Sequence, residues 1–181
     1  MESKKTIDIN ADLGEFQNAS ELTNELNILK YISSCSVACG GHIGNAKSIT
    51  LLLEESKKYG VTVGPHPSYP DKKGFGRRKI DISLKDLENS LRQQIHCFLE
   101  IADSLSTPVR HIKLHGALYN ETAKQEELAD LLIYVVDSLD LKVAIIGPKN
   151  SVLEDQVEKT DLLFLSEGFI DRRYREDYSL V

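Results

Sequence analysis

Asp12, His42, His66 and His115 are the side chains of this chain best suited to activating water or holding a metal ion. A carboxylate beside imidazoles supplies a general base, or a set of O and N ligands that leaves one coordination position open. Any one of them could instead satisfy loop backbone, as Asp and His in loops often do. Their shared placement argues for function: each follows a predicted strand, and parallel α/β folds gather their chemistry at the carboxyl ends of strands.

Two stretches add further ionisable groups. In TIDINADLGE, Asp8, Asn10 and Asp12 share one parity, with Ile7, Ile9 and Ala11 on the other. In VRHIKLHGALYN, His111, Lys113 and His115 alternate with Ile112 and Leu114. A strand sends alternate side chains to opposite faces, so each stretch carries one apolar and one polar row. If helices cover both faces, the polar row lines an enclosed site. His111 lies deeper than His115 on that row and is expected to support Lys113. His96, between Ile95 and Cys97, is expected on a helix surface or core edge.

The elements that position these residues alternate along the chain. Strands are predicted at 6–10, 34–39, 61–64, 111–114, 142–146 and 162–165. Helices are predicted at about 20–31, 45–59, from 83 onward, 123–139 and 151–158. Asn45 can cap the second helix and Gly60 stop it. From Ser83, the residues Leu84, Leu87, Leu91, Ile95, Phe98 and Ala102 recur at helical spacing. This alternation predicts an α/β fold with a parallel sheet in one domain, residues 1–181. A doubly wound sheet prefers continuous apolar strands, so the inward polar rows favour a (β/α) barrel. Such a barrel uses roughly 30 residues per unit, so six units are expected and a closing segment is expected to be lacking at the C-terminal end.

Bulk properties exclude other classes. With 181 residues, 41% hydrophobic and 28% charged, the composition is that of a globular protein. A net charge of −6 argues against nucleic-acid or anionic-membrane partners. The basic run Lys72, Lys73, Arg77, Arg78 and Lys79 is flanked by Asp71 and Asp81 and reads as a solvated loop. No segment has the length of a membrane span, and MESKK is expected to lead into a strand and not into an apolar signal region. Cys35, Cys39 and Cys97 lack metal spacing and read as small buried residues, which suits a reducing compartment and a cytoplasmic location.

Other motifs carry less. GHIGNAKS, residues 41–48, approaches the phosphate-binding G-x-x-x-x-G-K-[ST] pattern, but Ala46 replaces a required glycine and Lys47 falls inside a predicted helix. No G-x-S-x-G supports serine catalysis, and no neighbour activates Cys39. The loop GPHPSYPDKKGFGRR is stiffened by Pro65, Pro67 and Pro70, while Gly74 and Gly76 allow close approach. Those residues alone fit a rigid surface turn equally well, but with His66 at its base the segment reads as an active-site loop. Arg77 could hold a substrate carboxylate there, although an ordinary surface arginine is the plainer reading of that residue by itself.

Five segments in order, DINADLGE, SVACGGHIGN, GPHPSYPDKKGFGR, RHIKLHGALYN and FIDRRY, resemble the LamB/YcsF family, described as the A subunit of prokaryotic 5-oxoprolinase. The resemblance implies a seven-stranded β/α barrel similar to that of polysaccharide deacetylases. It implies ATP-dependent hydrolysis of 5-oxoproline to glutamate together with partner subunits B and C. His42, His66, Lys113 and His115 match the family pattern. This chain departs from it at Gly41, where an aromatic residue is usual, at Asn45 for Asp, at Leu114 for Pro and at Tyr178 for Gly. Family members also continue past the last residue here.

The resulting expectations are specific. Asp12, His42, His66, Lys113, His115 and Asp171 form the catalytic set. Asn10, Arg77, Asn120 and Arg172 bind substrate. A divalent metal, if used, has Asp12, His42 and His66 as candidate ligands. Asp12 with His42 or His66 would act as base, and His115 and Lys113 would steady the developing oxyanion. Two other readings remain open: a stand-alone metal-dependent amidohydrolase, and a shortened non-catalytic scaffold subunit.

Overall fold

The computed structural model describes residues 6–175. Tyr178 lies outside them. The elements in chain order are β1 (Asn10–Leu13), α1 (Ala19–Ile28), β2 (Ser34–Ala38), α2 (Ala46–Tyr59), β3 (Thr62–His66) and α3 (Leu84–Ser104). These are followed by β4 (His111–Lys113), α4 (Gly116–Thr122), α5 (Glu126–Asp137), β5 (Ala144–Pro148), α6 (Val152–Val157) and β6 (Leu163–Glu167).

The strands form two parallel ladders, β1-β2-β3 and β4-β5-β6. They meet where Val63 bridges Val109 and the Arg110 amide donates to the Val63 carbonyl at 3.1 Å. Gly64 permits this approach, since a Cβ there would lie 2.1 Å from the His111 carbonyl oxygen. The six strands therefore run side by side in chain order, as in a singly wound sheet; a doubly wound sheet would reverse order partway. Among the described residues no ladder joins β6 to β1.

Helix ends follow local chemistry. Asn45 caps α2 by accepting from the Lys47 and Ser48 amides, and its own amide donates to Ser48 Oγ. Gly60 ends that helix in the left-handed conformation. Ser83 caps α3 and Ser151 caps α6. The stripe on α3 serves two cores. Leu87, Leu91 and Ile95 pack with α5 and the β4–β5 side, while Phe98 and Ala102 pack with β2, β3 and α2. One helix thus bonds the two half-sheets by shared apolar burial.

Some expectations need correction. β1 begins at Asn10, not Thr6, because the Ile9 carbonyl already accepts both the Ser33 and Ser34 amides and Asp8 is taken by the Ser33 and Ser34 hydroxyls. Ile7 and Ile9 are exposed, so the covered apolar row starts only at the half-buried Ala11 and is complete at Leu13. The segment after His115 is helical from Gly116 where a loop was expected; Gly116 adopts φ +61° and its neighbour Ala117 donates to the Gly76 carbonyl, so the glycine turns the chain into α4 instead of breaking it. The GHIGNAKS segment makes a helix cap through Asn45, which leaves no phosphate cradle there. Asp71 is buried, not solvated; it binds Arg78 through both carboxylate oxygens at 2.6 and 2.9 Å and stiffens the loop. Cys35 and Cys39 are buried and unbridged, as read.

Candidate active site

Four turns deliver the site. After β1, Gly14 takes φ +81°, which breaks strand alternation and swings Glu15 inward. Glu25 on α1 holds that turn by accepting the Gly14 and Glu15 amides at 2.6 and 3.0 Å. After β2, Gly40 and Gly41 lead to His42. β3 ends on His66, and β4 carries Lys113 before His115 opens α4.

The three histidines are buried and adjoin one another. His42 and His115 stack with ring centroids 3.7 Å apart and planes 4° apart, and His66 meets both edge-on. Each ring has an anchor on its outer side. His66 Nδ1 donates to the Lys113 carbonyl at 2.8 Å, and His115 Nε2 donates to the Phe75 carbonyl at 2.9 Å. His42 Nδ1 lies 2.9 Å from Ser68 Oγ, whose hydroxyl is 2.9 Å from the Tyr69 carbonyl. Gln94 on α3 clamps Ser68 by accepting its amide at 3.0 Å and donating to its carbonyl at 2.9 Å. The inner nitrogens converge on carboxylates. Glu15 Oε1 lies 3.1 Å from both His42 Nε2 and His115 Nδ1, and Asp12 Oδ2 lies 3.4 Å from His66 Nε2.

Lys113 forms the second centre. Its Nζ lies 3.0 Å from Asp12 Oδ1, 3.0 Å from Glu167 Oε2 and 3.5 Å from Asn10 Oδ1, and 5.0 Å from the centre of the Phe169 ring. Beneath it a polar column continues inward, with Ser36 Oγ 3.2 Å from Asn10 Oδ1 and 3.2 Å from His111 Nε2. His111 therefore supports Lys113 through Ser36 and Asn10, not by direct contact.

Electrostatics follow from burial against pairing. Burial alone would raise the Asp12 carboxyl, but His66 and Lys113 hold it well below the usual carboxylate range. Burial opposes the Glu15 charge in the same way, yet the adjoining His115 and His42 rings bring it down to about 2. Burial pushes His42 down to about 4, keeping it neutral near pH 7. Lys113 is raised, since Asp12 and Glu167 outweigh its desolvation. Tyr119 is pushed up by burial with Glu167 beside it. The Tyr119 hydroxyl and Glu167 Oε1 are both buried and complete no hydrogen bond of good geometry.

A cavity of about 270 Å³ opens at this point, lined by Asp12, Glu15, His66, Lys113, His115 and Tyr119, with Arg77, Asn120, Phe169 and Arg172 around it. A larger hollow of about 1000 Å³ touches Arg110, Lys142, Leu162 and their neighbours at the amino ends of β4–β6, away from these groups. Of the expected site residues, Asp12, His42, His66, Lys113 and His115 come together, with Asn10 beneath. Arg77, Asn120 and Arg172 reach the cavity, Arg77 with its guanidinium 5.1 Å above the Phe75 ring. Asp171 does not join the cluster; it is exposed, and its carboxylate lies 3.7 Å from Arg172 Nε. Glu15, Glu167 and Tyr119 were missing from the expected set, as were the anchors Ser68 and Gln94. For a metal, Glu15, His42 and His115 have ligand atoms within 4.8 Å of one another, whereas Asp12 is committed to Lys113 and His66.

Fold and site together define a parallel α/β protein with a histidine–carboxylate centre at the carboxyl ends of its strands. The chain belongs to the LamB/YcsF family, whose sequence profile matches residues 7–181. It is 39% identical over 175 residues to the 5-oxoprolinase A subunit of Campylobacter jejuni subsp. doylei, covering 97% of this chain and 69% of that protein. It is 38% identical to the 5-oxoprolinase A subunit of Acinetobacter baylyi, with the same coverage. The crystal structure of a lactam utilization protein from Thermus thermophilus superposes with a TM-score of 0.90 at 30% identity, covering 98% of this chain and 72% of that one.

Proposed function

We propose that this chain is the A subunit of an ATP-dependent 5-oxoprolinase, hydrolysing 5-oxo-L-proline to L-glutamate in the cytoplasm with partner subunits B and C. The supporting observation is the small cavity beside His66, Asp12 and Lys113, in a chain 39% identical to a 5-oxoprolinase A subunit. Its volume suits a five-membered lactam with one carboxylate. In this reading the strand set closes as a seven-stranded barrel.

Amide resonance deactivates a lactam carbonyl toward water. Transfer of a phosphoryl group from ATP to the lactam oxygen removes that protection, and the partner subunits carry out that step. This chain then binds the activated ring and delivers water to its carbonyl carbon. The ring C–N bond breaks as the nitrogen takes the water's protons, and a second water cleaves the resulting acyl phosphate to glutamate and inorganic phosphate. His66 is the base: its Nδ1–H is committed to the Lys113 carbonyl, so the lone pair is on Nε2, at the cavity and 3.1 Å from His115 Nδ1. Asp12 is too firmly ionised to be a good base itself; at 3.4 Å it stabilises the imidazolium that forms. Lys113, already balanced by two carboxylates, holds Asp12 in register more than it stabilises an oxyanion. Arg77 and Arg172 at the cavity take the substrate carboxylate.

The test is to mix the purified chain with candidate B and C subunits and measure glutamate from 5-oxoproline with and without ATP. ATP-dependent glutamate, lost in His66→Gln, is the expected result. No turnover, with a related A subunit active in the same assay, overturns it.

A further inference from the structure

A peptide carbonyl can only accept a hydrogen bond, and this fixes two rings. Because the Lys113 carbonyl binds His66 Nδ1 and the Phe75 carbonyl binds His115 Nε2, the neutral rings present His66 Nε2 and His115 Nδ1 as lone pairs. These nitrogens face each other at 3.1 Å. Glu15 Oε1 lies 3.1 Å from the second and 3.9 Å from the first, and Asp12 Oδ2 lies 3.4 Å from the first. Four acceptors thus converge with no donor among them.

His42 Nε2, 3.1 Å from Glu15 Oε1, adds a fifth atom that can only supply a donor if Ser68 gives up its bond to the Tyr69 carbonyl. Protonating both stacked rings would set two positive charges face to face at 3.7 Å. One proton can bridge one pair of these atoms; one cation can serve the group. Ligands about 2.0 Å from a tetrahedral ion lie about 3.3 Å apart, close to the 3.1 Å from Glu15 Oε1 to each ring nitrogen. The stacked His42 and His115 rings must tilt apart for both in-plane lone pairs to meet one ion. Anchoring each ring by its outer nitrogen is also how proteins orient metal-binding histidines.

We propose that Glu15 Oε1, His42 Nε2 and His115 Nδ1 bind one divalent first-row transition-metal ion, of the zinc class, with His66 Nε2 facing its open position. Two imidazoles and a carboxylate match that class of ion in preference to magnesium or calcium. Asp12 stays outside the ligand set, paired with Lys113.

The test reads metal, not turnover, so it stands apart from the proposed reaction. The purified chain is stripped with chelator, dialysed against Zn²⁺ and assayed for bound metal; Co²⁺ loading is followed by its visible absorption. One ion per chain is expected, with affinity lowered about 100-fold or more in Glu15→Gln and His115→Gln. Asp12→Asn and the surface variant His96→Ala should keep the ion. Far-UV circular dichroism confirms that each variant is folded, and His42→Gln is the substitute if one is not. Folded wild type that takes up no stoichiometric metal, showing that a proton fills the cluster, overturns the proposal. So does metal uptake unchanged in the ligand variants.

Discussion

Asp12 on β1 and Lys113 on β4 meet at 3.0 Å across the inside of the sheet, with the Lys113 side chain only 4% exposed. The same ammonium reaches Glu167 on β6, so one charge ties together the first, fourth and sixth strands. Removing one partner of a buried ionic group leaves the others uncompensated. Lys113→Met should therefore destabilise the fold by about 2 to 3 kcal/mol, discounted from the fully buried case because Asp12 is 31% exposed. Urea denaturation checks this. Asp12→Asn should keep most of the stability while lowering glutamate formation at least about 100-fold; unimpaired turnover would remove Asp12 from the mechanism.

Acid should weaken the fold through His111. It is buried, with Ser36 Oγ at Nε2, the β3 backbone at Gly64 pressed against it, and Asp8, Lys113 and His66 as the nearby charged or titratable groups. Burial lowers it from 6.5 to about 4, despite the opposing pull of Asp8. The native state then binds fewer protons than the unfolded chain between those values. Stability from this group is complete above about pH 6.5 and is lost as pH falls toward 4, on the order of 3 kcal/mol in all. In the metal-free chain, His42 acts in the same window and the same direction. Glu15, lowered from 4.5 to about 2, adds a further loss beginning below about pH 4.5. His111→Asn should roughly halve the slope of unfolding free energy against pH between 6.5 and 4, measured by denaturant titration at each pH. An unchanged slope would mean His111 binds protons equally in the native and unfolded states.

What was legible in the sequence follows the regularity of each element. Period-two alternation placed Asn10, Asp12 and Lys113 on one inner face because all three lie within regular strand. Helical periodicity placed α3 because its stripe runs unbroken to Ala102. Glu15 was lost at Gly14, whose positive φ ends the alternation that would have carried the count forward. Glu167 and Tyr119 come from β6 and α4 and meet only through packing, which no local pattern reports. Asp171 was carried by its place after the sixth strand and by its motif, and the fold leaves it in solvent. Gly116 hid α4, since a glycine after a strand reads as a loop.

Gly41 and Gln94 form a dependent pair. A Cβ on Gly41 would lie 2.4 Å from both Gln94 Oε1 and Ser68 Oγ, the two groups that orient His42. Gly41→Ala should push Gln94 off Ser68, costing about 1 to 3 kcal/mol and loosening His42. Adding Gln94→Ala makes room, so the double variant should be less destabilised than the sum of the two single variants. Additive effects in thermal or urea unfolding would show that the glycine and the glutamine are independent.

Tyr119 separates function from stability. Its hydroxyl is buried beside Glu167 Oε1, neither completes a good hydrogen bond, and the residue lines the cavity. An unsatisfied buried hydroxyl costs free energy, so Tyr119→Phe should be neutral or raise stability by about 1 kcal/mol. If the hydroxyl is kept for a substrate oxygen, the same change should lower kcat/KM about 10-fold, since it deletes one hydrogen bond in the bound state. The ring itself keeps its edge-on contact with Phe169 at 5.8 Å, so packing is conserved in the variant. Higher stability with reduced kcat/KM would mark Tyr119 as a binding residue, whereas full activity would leave its hydroxyl a structural cost with no role in the reaction.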